Sequence, residues 1–378
     1  MSARSHQPRW HTPLRHWVLA CLCLLLACAA QASAPAADRI QLRDEVPTQT
    51  VWSAVRILPD PERALTVQDV LARAQDFAVP LRDTGTLGVR RDAVWVRVPL
   101  TVTPTSDGIW VLDIDYPVLQ RLDVYLTADG RVLRQASLGS LQPFTQRPLR
   151  SRSHALPFLM KPGQNYELLL RVETSGAMVL PITLQKPPAW HSAALNEQLL
   201  QGSLIGLALC LLLYSLGQWF NLREVLFLQY ALLITGSTLF SLHLFGLGTQ
   251  YLWTDNAWFE LHVAGLAALM ATCGSFLFIG QTLMGQQPAS RLLRAMRWGA
   301  VLCVVLGLLY ALDVLSTRVI TAIVSLLGLV PALMGIPGAL RRARGRRYWH
   351  QPAAGLDALL CRHRGRHRRH PGPCARQF

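Results

Sequence analysis

Five long apolar runs between Leu199 and Leu340, divided by short loops, constrain this chain more than any other feature. They are Leu200–Phe220, Val225–Leu247, Phe259–Met284, Trp298–Leu315 and Val319–Leu340. A hydrocarbon core about 30 Å thick takes about 20 residues of helix to cross. Each run comes close to that length or exceeds it. In lipid, every backbone N–H and C=O must find its partner inside the segment, so the runs are expected to be helices. The pattern predicts a multi-span membrane bundle and excludes a wholly soluble fold.

The formal charge of +15 is not spread along the chain. Residues 1–34 hold no acid and carry Arg4, Arg9 and Arg15, while residues 341–378 hold eleven arginines against Asp357 alone. The body between is nearly neutral, so no nucleic-acid partner is expected for it. Residues 1–34 read as a signal peptide: a basic start, the apolar core Trp17–Ala30, and Ala32-Ser33-Ala34 for cleavage. An uncleaved anchor is one alternative, and a lipoprotein signal resting on Leu25-Leu26-Ala27-Cys28 is another. All eight cysteines lie outside residues 35–198, which must therefore be held by their core rather than by disulfides.

Residues 40–190 read as all-β. Val94, Val96, Val98, Leu100 and Val102 alternate with Trp95, Arg97, Pro99 and Thr101, the period of a half-buried strand. Trp110–Tyr116 and Leu122–Leu126 follow the same rule, and Asp129-Gly130 supplies a hairpin turn. Tyr166–Val172 gives a further strand and Val179–Leu184 the last one. Thr66 with Asp69 three residues on predicts a capped short helix over Val67–Ala74. Many short strands with one small helix predict a two-sheet sandwich, jelly-roll-like. Pro187-Pro188 closes it, and a helix over Ala189–Gln201 is expected to lead into the first span.

Arginine placement orients the bundle. Arg223 marks the first loop, and Arg291, Arg294 and Arg297 the third, as cytoplasmic, whereas Gly248–Trp258 has no Lys or Arg and is external. This predicts a multi-pass protein of the bacterial inner membrane with its β domain in the periplasm. Beyond Leu340 the periodicity stops. The tail reads either as a cytoplasmic basic segment meeting anionic lipid or nucleic acid, or as the product of a shifted reading frame, and in the second case the chain is a shortened form of something longer.

Several segments taken in order resemble a bacterial family, the seven-transmembrane receptors with diverse intracellular signalling modules. They begin with Leu58-Pro59-Asp60-Pro61, Leu65–Val70, Trp95-Val96-Arg97, Leu112–Pro117 and Arg121–Leu126. Arg147-Pro148, Leu170–Gly176, Leu213–Leu216 and Phe245–Trp253 continue the pattern. The resemblance covers about residues 40–340 and implies a jelly-roll-like sensor domain of the family's second extracellular type. It further implies a periplasmic small ligand, such as a carbohydrate, a seven-span bundle and a cytoplasmic output module or signalling partner. Five runs stand where seven are implied, and no GGDEF run, phospho-acceptor helix or ATP-binding motif is found.

No catalytic motif is found, no enzyme activity is expected, and no cofactor or metal is called for. The candidate ligand site comprises Trp95, Arg97, Asp115, Tyr116, Arg147 and Arg150, with Arg152 in the same loop-like stretch. An aromatic platform with planar Arg and Asp groups suits a sugar. A structural reading of the same residues pairs Arg97 with Asp113 or Asp115 and packs Trp95 at a sheet edge. In the spans, Gln229, His243, Glu260, His262 and Gln281 are unexpected in lipid. They either reach the interface or, in His243 and His262, form a metal, haem or redox site. Gly202-x-x-x-Gly206 offers a close helix contact.

Overall fold

The computed structural model describes residues 39–80, 85–284 and 291–336; the expected signal peptide and the basic tail fall outside them. Twelve strands come first. They are β1 (Ile40–Leu42), β2 (Thr48–Thr50), β3 (Arg56–Asp60), β4 (Thr86–Val89), β5 (Ala93–Val102) and β6 (Ile109–Ile114). Next come β7 (Arg121–Ala128), β8 (Arg131–Leu138), β9 (His154–Leu159), β10 (Asn165–Glu173), β11 (Ala177–Val179) and β12 (Ile182–Gln185). One sheet runs β1-β5-β10-β7-β8, with β3 also on β5; the other runs β2-β12-β6-β9.

The alternation read from the sequence sets which faces meet. Val94, Val96, Val98 and Leu100 from β5 meet Trp110, Leu112 and Ile114 from β6 in one buried core. Each such side chain contributes about 1.5–3 kcal/mol by leaving water. The expected last strand is divided: Leu180 and Pro181 part β11, on β4, from β12, on β2 and β6. Proline has no amide hydrogen to give a continuous ladder.

Helix α1 (Val67–Ala72) carries the expected capping box, with Thr66 and Asp69 each satisfying the other's backbone. It covers the outer face of the first sheet. There Val70 and Phe77 pack on Trp95, Tyr125 and Leu169 in a second, smaller core.

Helix α2 (Pro187–Leu222) starts at the paired prolines and runs without a break from the sandwich into the first span. The proline at its start meets no penalty, because the first turn has no partner for that N–H. Next come α3 (Val225–Leu244), the short α4 (Leu247–Tyr251), α5 (Ala257–Met284), α6 (Arg291–Ala311) and α7 (Thr317–Leu327). Five segments among the described residues are long and apolar enough to span, the last running from Thr317 to Ile336. Helices α3 and α5 touch most closely. A Cβ on Gly236 would sit 2.4 Å from the Ala271 nitrogen, and one on Gly274 would sit 2.6 Å from the Leu233 nitrogen. Gly202 and Gly206 meet nothing within 4 Å, so the close contact expected of them is made elsewhere.

Candidate functional site

The six candidate ligand residues divide between two places. Trp95 and Arg97 lie on the outer face of β5. Trp95 is fully buried beneath α1, its ring stacked on Tyr125 at 5.8 Å. Arg97 grips Glu167 on β10 with two guanidinium hydrogen bonds and donates a third, of 3.0 Å, to the Ala74 carbonyl. Its guanidinium is therefore already engaged. Neither Asp113 nor Asp115 is its partner, because β6 belongs to the opposite sheet and β5 is flanked by β10, β1 and β3.

Asp115, Tyr116 and Arg147 gather at the other end of the sandwich, where it meets the helices. Asp115 accepts from Arg152 at 2.8 Å, and Arg152 also lies 3.6 Å from Glu197 on α2. One guanidinium thus ties a strand end to the helix that becomes the first span. Tyr116 packs half-buried on the main core, and that burial raises its phenol pKa. Arg150 is exposed. Arg147 is 8 % exposed and stands 4.9 Å over the Phe144 ring. It donates to the carbonyls of Ser151 and Arg152 at 3.1 and 3.3 Å, and to that of Gly139 at 3.4 Å. Burial pulls its pKa down to about 10, and the nearby Glu260 carboxylate works against that fall. Gly139 is required here: its φ is 130°, and a Cβ would lie 2.3 Å from the Gln120 carbonyl oxygen.

Glu260 belongs to α5 and is 5 % exposed. It accepts from Thr249 at 2.6 Å and from the Trp253 indole at 2.7 Å, and His243 lies 3.5 Å away. A buried carboxylate in such a place needs partners of this kind. Two further contacts close the seam. Thr145 donates to Asp255 through its hydroxyl at 2.9 Å and its amide at 3.3 Å. Gly246, at φ 72°, brings its backbone against Pro117 and the Arg152 carbonyl. Beneath the seam, Trp190 of α2 packs on Val111 and Ala155.

His243 and His262 take separate partners. His262 bonds the Trp258 carbonyl at 2.8 Å and Asp313 at 2.9 Å, and stacks on Trp258 at 4.5 Å. His243 faces Glu260 instead. Among the described residues, no group of three or more potential metal ligands forms.

Sequence reasoning passed over His154 and took Asp113 only as a partner for Arg97. His154 is fully buried, and burial first, then Arg147, push its pKa down to about 3. Asp113 accepts from Ser153 at 2.5 Å, and burial raises its carboxyl. The polar run Ser151-Arg152-Ser153-His154 leading into a strand was the available signal.

A sandwich fixed by a polar seam to one end of an apolar helix bundle has the build of a multi-pass membrane receptor. Residues 53–186 match the family described as 7TMR-DISM extracellular 2, and residues 197–349 match 7TM diverse intracellular signalling. The chain belongs to this family of seven-transmembrane receptors with diverse intracellular signalling modules. A search of curated proteins finds no match.

Proposed function

We propose that this receptor holds its sandwich on the periplasmic side of the bacterial inner membrane. There the sandwich binds a small ligand, the carbohydrate class being the one the family resemblance implies. Binding is relayed through the bundle to a cytoplasmic module or partner. The chain acts by binding and relay rather than by catalysis. The observation that carries this reading is the seam. Buried or half-buried charges at Arg147, Arg152, Glu197 and Glu260 couple the sandwich to two different spans. A ligand shifts a two-state element only through its difference in affinity for the two states. Charges of this kind are costly to leave unpaired, so the seam holds discrete arrangements rather than sliding.

Hydrogen exchange on the full chain in nanodiscs tests the reading. Combining Thr145→Ala with Arg152→Ala should speed amide exchange in residues 245–256 at least tenfold while exchange in β5 and β10 stays as it was. Unchanged exchange in residues 245–256 would show that the sandwich does not control the bundle and would overturn the relay.

A further inference from the structure

At the end of the sandwich away from the seam, the two sheets leave a groove of about 730 Å³. β6 runs from the Leu159 pairing to the His154 pairing, which sets the groove roughly 17 Å from the seam at about 3.3 Å per residue. The groove opens between β8 and β9, the terminal strands of their sheets, so neither has a further strand on that side. A side chain bridges the gap instead: Arg134 of β8 donates to the Pro157 carbonyl on β9 and stands 5.9 Å from the Phe158 ring. The floor is preformed, because the Tyr166 hydroxyl donates to Gln164 at 3.0 Å and accepts from the Lys161 amide at 2.7 Å.

Two features mark this groove. Arg131, Arg134 and Lys161 line it with Asp129 as the single acid. Among the described residues, the charged heads of Arg131 and Lys161 have no ion-pair or hydrogen-bond partner. Beside these cations, Leu133 is 58 % and Leu159 79 % exposed. Unpaired cations next to bare leucines fit a ligand with an anionic head and an apolar body.

We infer that this groove is a ligand site for a small amphiphilic anion. Arg131, Arg134 and Lys161 hold its phosphate, sulfate or carboxylate head, and its apolar body lies along Leu133 and Leu159. This rests on the receptor reading only in calling the molecule a signal; the site itself stands on its own geometry.

Calorimetry on the full chain in phosphatidylcholine nanodiscs tests it, with hexyl phosphate, inorganic phosphate and hexanol as probes. Hexyl phosphate should bind at least tenfold more tightly than either fragment. Combining Arg131→Glu with Lys161→Glu should weaken it at least tenfold, with thermal melting unchanged because both side chains are exposed. Combining Leu133→Ser with Leu159→Ser should remove its advantage over inorganic phosphate. Equal binding of all three probes, or wild-type affinity in either double variant, would overturn the site. Hexyl phosphate binding that leaves exchange in residues 245–256 unaltered would keep the site and show that its occupant is not the signal relayed through the seam.

Discussion

Trp95 and Arg97 are both engaged inside the fold, the indole in the smaller core beneath α1 and the guanidinium on Glu167 and the Ala74 carbonyl. Their alternation with valines puts them on the face away from the main core, and the structure agrees. What lies over that face was not legible, because β10 and α1 arrive from distant parts of the chain. Trp95 is consequently a packing residue. Trp95→Ala should cost about 3–5 kcal/mol, read in denaturant melts of the full chain. His154 makes a prediction in pH. Its folded pKa is about 3 against an ordinary 6.5, so between those values the unfolded chain binds the extra proton. Stability is then complete above pH 6.5 and falls as pH drops. From pH 7 to pH 5 the loss should be about 2 kcal/mol. Asp113 acts in the opposite sense, since burial raises its carboxyl. His154→Leu leaves that contribution in place, so the difference in slope between variant and parent isolates the histidine. Equal slopes would show that His154 is not held neutral.

Among the elements, local chemistry was the legible part. The Thr66 capping box, the Asp129-Gly130 turn and the helix start at Pro187 each depend on residues within a few positions of one another. Strand order depends on pairings across the whole domain, and a period of two cannot reveal it. The helix contacts make the same point. Gly202 and Gly206 have the spacing of a packing motif yet meet nothing, whereas Gly236 and Gly274, isolated in sequence, press backbone on backbone. Spacing describes one helix, but a contact needs two. Gly236→Val or Gly274→Val should therefore force α3 from α5 and lower the melting temperature in detergent by several degrees, about 1–3 kcal/mol of overpacking. Gly202→Val should leave it within a degree. A neutral Gly236→Val would show that α3 and α5 do not pack this closely.

For the whole molecule, two independent signals sort the helix ends onto two sides. Contact is the first. Trp190 at the start of α2, Gly246 after α3 and Asp255 before α5 all touch or pack on the sandwich end. The turn after α6 joins them, since Asp313 bonds His262, two residues from Glu260. The opposite end holds the turn at Arg223, the start of α6 at Arg291 and the end of the last span at Ile336. Charge is the second signal. Arg223, Arg291, Arg294 and Arg297 all fall at the end away from the sandwich, and Arg318 alone lies at the near end. Basic residues are retained on the cytoplasmic side, so the sandwich should be periplasmic. The charge bias itself was legible in the sequence because it needs only a count in each loop, with no knowledge of packing. Alkaline phosphatase fused after Leu252 or Val314 should be active, and green fluorescent protein fused after Arg223 or Arg294 should fluoresce. Active phosphatase at Arg294 would place the sandwich in the cytoplasm, where a periplasmic ligand cannot reach it.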